Sequence, residues 1–267
     1  PLDRPANGNP WTRNFDWAGL VTEDSAMADG QVVGWGRRQL AADAGDPRFV
    51  AIGIYRPHLP WYVPQKYLDL YPLENLELPR VLETDLDDVP EAALLGAFDG
   101  TMPPMGLHEW VIEADVWQEG VQAYLASVSF ADAMVGQLLD ELERSGRADN
   151  TIIVLWSDHG WHLGEKLRWR KHTIWEESTH VPFIVVAPGI TTPGTQTDKV
   201  VSLMDLYPTL VELAGFEIPG HVEGASLVPL LRDPDAPWEH TALSTFGYMN
   251  HAIRSDRYRY IRYFDGS

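Results

Sequence analysis

Between Ser157 and His172 the sequence "SDHGWHLGEKLRWRKH" gathers one Asp, three His, one Glu, two Lys and two Arg within sixteen residues. Such a set offers oxygen and nitrogen donors for a metal, proton carriers, and cations for an anion. Asp158 and His159 follow directly on the apolar run "TIIVLW" and precede Gly160. Neighbouring side chains on a strand point to opposite faces, so both can face one cation only where the chain has left the strand, and glycine permits that bend. Two readings of the pair stand side by side: two metal ligands, or an Asp that caps the next turn beside a His hydrogen-bonded in the core. An oxygen donor suits Mg, Ca or Mn, whereas imidazole leans towards Zn, Mn or Fe, so these residue types leave the metal open.

Lys166, Arg168, Arg170, Lys171 and His172 form a cationic block. Taken alone, Lys166, Arg168 and Arg170 are expected on a solvated face. Behind a metal turn the block gains a second reading, because a metal and a lysine together hold a tetrahedral oxyanion. His162 and Glu165 are expected next to these groups, as support. His58 follows the apolar run "FVAIGIY" after only Arg56 and Pro57. Ligands of open α/β sheets gather beyond the carboxyl ends of strands, so neighbouring strands would bring Asp158, His159 and His58 to one cleft. His180, ahead of the buried run "PFIVV", is expected to be a satisfied structural histidine.

The elements that must position these groups show as periodicities. Residues 24–42 read as an amphipathic helix, and "FVAIGIY" as a strand that the prolines of "RPHLP" terminate. Residues 62–119 read as a long irregular excursion with short helices, in which "ETDLDDVPE" is a solvated charge run. Apolar residues from Val121 to Leu142 recur at helical spacing, with Gly146 placed to end the helix. "NTIIVLWS" and "PFIVVAPG" are continuous apolar runs, the pattern of strands buried on both faces. "VVSLMDLYPTLVELAG" predicts a short strand, then a helix with Pro208 in its first turn and Gly215 at its end. The Arg and Tyr residues of "HAIRSDRYRYIRY" alternate as in a hairpin turning at Ser255 and Asp256. The expectation is an α/β fold, a mixed central β-sheet sandwiched by helices, in a single domain over residues 1–267.

Composition narrows the chemistry. The 267 residues contain no cysteine, which removes disulfides, thiolate metal sites and a Cys nucleophile together. A formal net charge of −19 argues against binding nucleic acid or a membrane surface, and no apolar run approaches the roughly 18 residues of a membrane span. The first residues lack the charged and apolar regions of a signal peptide, and no Asn-x-Ser/Thr sequon occurs.

Four blocks, "FVAIGIYRPHLPWYVPQKYLDLYP", "TIIVLWSDHGWHLGEKLRWRKHTIWEESTHVPFIVVAPG", "VSLMDLYPTLVELAGFEIPGHVEGASLVPLL" and "AIRSDRYRYIRYFDGS", resemble successive segments of the type I sulfatases. Within these the match is closest to the iduronate-2-sulfatase-like branch. The resemblance implies a fold of the alkaline-phosphatase superfamily and hydrolysis of a sulfate ester, with a sulfated carbohydrate as the preferred substrate class. A phosphodiesterase or phosphonate hydrolase of the same superfamily, or a noncatalytic binding protein, is the alternative. The family's nucleophile is a formylglycine made from Cys or Ser in a C/S-x-P-S-R motif, and a divalent cation, usually calcium with Mg or Mn as alternatives, polarises the sulfate. Carried across residue by residue, Asp158 and His159 resemble metal ligands. Lys171 resembles the lysine on the sulfate, His58 the histidine beside the leaving group, and His162 falls among the substrate contacts. The chain has no S-x-P-S-R stretch, no early Asp-Asp pair and no Lys-x-x-His segment. It is therefore expected to be a partial catalytic domain, without the N-terminal strands and nucleophile loop and without a C-terminal subdomain, and inactive alone. A periplasmic, secreted or lysosome-like location is implied by the family.

Overall fold

The computed structural model describes residues 5–10, 14–42, 45, 47–82, 84–95 and 106–267. In chain order these form β1 (Trp17–Leu20), α1 (Ala28–Ala41), β2 (Trp61–Pro64), α2 (Gln65–Leu68), α3 (Glu91–Leu95), α4 (Gly106–Glu113) and α5 (Trp117–Arg144). There follow β3 (Ile153–Trp156), β4 (His162–Leu163), β5 (Trp169–Arg170), α6 (Glu176–Thr179), β6 (Phe183–Val186), α7 (Leu206–Leu213), α8 (Val228–Arg232), β7 (Ala242–Thr245), β8 (His251–Arg254) and β9 (Arg259–Arg262). The class is mixed α/β, as the patterning predicts. The chain divides into two compact units, Pro1–Arg80 with His108–Asp149, and Val81–Leu107 with Asn150–Ser267.

In the first unit the apolar stripe of α5 drives the packing. Ala126, Phe130 and Met134 lie four residues apart on one helix face, and all three are fully buried against Val33 of α1, Val63 and Tyr67. The predicted helix is therefore present and longer than its apolar stripe. β1 and β2 pair in parallel, Trp17 opposite Trp61. Both indoles join Phe15 and Trp110 in an aromatic cluster with centroids 5.4–6.4 Å apart. Between them Asp16 is fully buried. Its carboxylate accepts from the backbone N–H groups of Ala6, Asn7 and Trp17 and from the Tyr62 hydroxyl, which accounts for a charge in an apolar setting.

The run "FVAIGIY" departs from its prediction. It is extended, and Ala51 to Tyr55 alternate between exposed and half-buried, but it joins no ladder among the described residues. Its end is fixed instead by a side chain, because Asp29 in the first turn of α1 accepts from Tyr55 N at 2.8 Å and Arg56 N at 3.1 Å.

In the second unit β3 and β6 pair antiparallel, Ile153 opposite Val186 and Trp156 opposite Phe183. Both predicted strands exist, yet they are not buried on both faces: Leu155, Trp156, Ile184 and Val186 are exposed. β7, β8 and β9 form a meander whose last turn spans Ser255–Tyr258 and bends at Asp256 and Arg257, one residue beyond the predicted place. The predicted short strand before α7 is absent; Ser202 and Asp205 build a capping box there, and that local hydrogen bonding starts a helical turn. Gly215, at φ +78°, lies just beyond α7. Ala92, Ala93, Ile174, Trp175, Ala252 and Tyr263 form the core beneath the meander.

Phe130 carries the first unit's core, so Phe130→Ala should lower unfolding free energy by about 3–5 kcal/mol, read as a lower urea midpoint. A loss below about 1 kcal/mol would mean that α5 does not depend on this contact.

Candidate functional site

Asp158 and His159 sit where the chain leaves β3. The exit is fixed by backbone groups: Ser157 N donates to Pro182 O at 3.3 Å and Gly160 N to Ser178 O at 2.8 Å. Ser157 Oγ also donates to His159 O at 2.8 Å. Gly160 runs so close to α6 that a Cβ there would lie 2.0 Å from Glu177 O and 3.1 Å from His180 O. Only glycine fits, and the bend that frees two adjacent side chains to face one way is built from that approach.

Within this turn the His159 imidazole is oriented at both nitrogens. Nδ1 lies 2.8 Å from Gly160 O. A carbonyl can only accept, so Nδ1 carries hydrogen and Nε2 presents its lone pair. Facing that lone pair are Lys171 Nζ at 2.7 Å and Asp158 Oδ1 at 3.6 Å. Asp158 is the exposed member, with 74% of its side chain accessible against 24% for His159. No capping hydrogen bond of Asp158 is seen among the described residues, while His159 is hydrogen-bonded as the second reading expects.

A carboxylate oxygen and an imidazole lone pair 3.6 Å apart fit two donors on one divalent cation, since calcium–oxygen bonds of about 2.3–2.6 Å allow such a separation. They form part of a shell. Among the described residues no group of three or more His, Asp or Glu side chains is placed to hold a metal.

His162 lies elsewhere on the same loop. It is fully buried on β4, with Nε2 2.8 Å from Thr173 Oγ1 and its ring edge-on to Trp175 at 5.9 Å. Burial is the main reason its imidazole is pushed down to about 4; Arg168 and Lys166 add to the shift, and a backbone hydrogen bond with Glu165 opposes it. Glu165 itself accepts from Leu163 N at 2.7 Å. The intervening chain turns tightly, with Gly164, Lys166, Leu167 and Arg170 all at positive φ.

The cations of this loop are not the solvated face that their charge suggests. Lys166 pairs with Asp85 at 2.8 Å and lies 5.5 Å over the Trp175 ring. Arg168 is 2% exposed, donates to the carbonyls of Ala93 and Leu94 at 3.0 and 2.5 Å, and also lies 5.5 Å from the Trp175 centroid. Burial lowers its pKa to about 10, with Tyr263 opposing; Arg170 is lowered by burial too. Backbone carbonyls and an indole face replace water around these groups. His180 is corrected in the opposite sense. Its side chain is exposed, and the backbone, not the imidazole, is what the fold uses.

His58 belongs to the first unit. Its Nδ1 is 2.7 Å from Leu59 O and its ring lies 4.8 Å from Tyr55. The turn around it is braced by Tyr55 OH donating to Leu59 O, Trp61 Nε1 to Pro57 O, and the Arg56 guanidinium to Tyr62 O at 3.0 Å.

Residues 4–216 match the sulfatase family, across both units. A sulfatase of Formosa agariphila is 41% identical over 95% of this chain and 49% of its own length. Human iduronate 2-sulfatase is 32% identical over 66% of this chain and 37% of its own. In structure, the phosphonate monoester hydrolase of Silicibacter pomeroyi superposes with a TM-score of 0.77 at 24% identity, covering 91% of this chain and 53% of that one. The fold is thus of the alkaline-phosphatase-like class that sulfatases share, and the chain belongs to the sulfatase family. It spans about half the length or less of these curated relatives. No helix among the described residues is long and apolar enough to cross a membrane.

Gly160→Ala should cost about 1–3 kcal/mol in unfolding free energy, because backbone must move to admit the methyl; an unchanged melting temperature would contradict the close approach. The buried imidazole gives a second expectation. His162 titrates near 6.5 unfolded and about 4 folded, so between those values the unfolded chain holds more protons. Its contribution, about 3 kcal/mol, is present above pH 6.5 and lost as pH falls towards 4. As pH falls from 7 to 4 the wild type should lose about 3 kcal/mol more than His162→Leu, read from urea midpoints; parallel profiles would refute the shift.

Proposed function

We propose that the protein containing these residues hydrolyses sulfate esters, breaking the bond between sulfur and the ester oxygen to release an alcohol and inorganic sulfate. What supports the reading is the grouping of Asp158, His159 and Lys171 on one turn of a sulfatase-family chain. A sulfated carbohydrate is the substrate class, supported by the relationship to iduronate 2-sulfatase. Asp158 and His159 would hold a divalent cation, calcium by family with magnesium or manganese as alternatives, and it would draw electron density off the sulfate oxygens. Lys171 Nζ lies 2.7 Å from His159 Nε2; with that lone pair given to a cation, its hydrogens would turn to sulfate oxygens, where negative charge grows in the transition state. His58 serves as the acid that protonates the leaving oxygen. His162 supports the loop from within rather than touching the sulfate. The nucleophile, a formylglycine, is assigned outside these 267 residues, which hold neither cysteine nor an S-x-P-S-R stretch. Periplasm, a secreted state or a lysosome-like compartment is the corresponding location.

In the full-length protein, Asp158→Ala and Lys171→Ala should each lower kcat on 4-nitrophenyl sulfate by about 100-fold or more. Chelation should abolish turnover and calcium restore it. Unchanged rates, or a preference for a phosphonate monoester over the sulfate, would overturn the reading. His58→Ala should cost much more on an alkyl sulfate than on the nitrophenyl ester, whose leaving group needs no proton; equal defects would remove His58 from that role.

A further inference from the structure

The candidate site has two sides that the chain must hold in register, the Asp158–His159 turn and the segment carrying Lys171. Twelve residues separate His159 from Lys171, and Lys171 itself can touch His159 only if both ends of that loop are tied. We infer that the Thr173 hydroxyl is the tie, a positioning group for the sulfate site proposed above; the inference rests on that reading.

The geometry is specific to a hydroxyl. Thr173 Oγ1 donates to Ser178 Oγ at 2.8 Å. It lies 2.8 Å from His162 Nε2 and receives a longer bond, 3.4 Å, from Trp175 N. With its single hydrogen given to Ser178, its lone pairs accept from the imidazole and the amide, so its hydrogen-bonding capacity is filled. The hydrogen bonds then run in one direction, from His162 through Thr173 to Ser178. Two members of that chain, Ser178 and Thr173, are each attached to one side of the site. Ser178, buried in α6, accepts the Gly160 amide at its carbonyl and so holds the metal turn. On the other side Thr173 N donates to Lys171 O at 2.8 Å. Thr173 thus joins by one side chain the segment that carries the lysine to the helix that carries the turn. Neither His162 nor Thr173 need touch substrate for this to matter, since displacement of Lys171 by about 1 Å is enough to cost rate.

The experiment uses the full-length protein and three variants. Thr173→Ser keeps the hydroxyl and should retain kcat within about 2-fold. Thr173→Val keeps the shape, removes the tie, and should lower kcat and kcat/KM together by about 10-fold, the pattern of an interaction lost in the transition state. Because Thr173→Val also strands the buried His162 nitrogen, His162→Leu/Thr173→Val replaces both partners by apolar groups and should recover most of the melting temperature. If Thr173 positions Lys171, kcat stays low in that double variant. Recovery of kcat along with melting temperature, or wild-type kcat in Thr173→Val, overturns the inference. Should the wild type cleave no sulfate ester, the functional reading fails by itself, and amide hydrogen exchange decides the tie. Exchange in 157–162 and 171–175 should then quicken about 10-fold in Thr173→Val, with α7 unchanged; equal exchange in both forms overturns it.

Discussion

One peptide hydrogen bond, Gly160 N–H to Ser178 C=O, sets the rest of the candidate site. Its origin is the register of a strand pair. With Trp156 opposite Phe183 in an antiparallel ladder, the residues just after Trp156 must run beside those just before Phe183. The short helix α6 fills that space, and its carbonyls approach the Gly160 Cα too closely for any side chain. Asp158 and His159 point together because the backbone has nowhere else to go. Everything further out, the imidazole tautomer and the place of Lys171, follows from where that turn lies.

The loop that returns to Lys171 is stabilised by cations used in an unusual way for an acidic chain. Lys166 and Arg168 lie against the Trp175 indole, and Trp175 Nε1 donates to Tyr263 OH at 3.1 Å. Arg259 extends the arrangement, donating to Glu176 Oε2 at 2.6 Å and to Ile174 O at 2.9 Å. Cations thus gather around one loop of a chain that carries −19, with Lys166 and Arg259 offset by Asp85 and Glu176.

Much of this was legible in the residues. The apolar stripe of α5 and the alternation of the last hairpin need only local periodicity, and both elements stand where the pattern puts them. The Asp158–His159 turn was legible as a departure from the strand, because the apolar run ends at an acid, an imidazole and a glycine, while the pair by itself did not choose between a metal and a structural role. Failures came where tertiary partners decide. "FVAIGIY" has strand composition, but a ladder requires a neighbour that composition cannot specify, and Asp29 takes its terminal amides instead. Arg168 looks solvated by type, and its burial depends on two carbonyls more than seventy residues away. Thr173 gives no signal of its own: a threonine two residues after a lysine is ordinary, and its partners become visible only when α6 is in place.

The loop between Gly160 and Thr173 is pinned at both ends and turned through Gly164, Lys166, Leu167 and Arg170 in the left-handed region. For the history of such a gene, this separates two kinds of change. A single-residue replacement within the loop alters contacts while leaving the span intact. A codon gained or lost there would slide the lysine relative to the imidazole in one step, with no graded intermediate. Length is thus a constraint on this stretch beside the identities of His162 and Lys171.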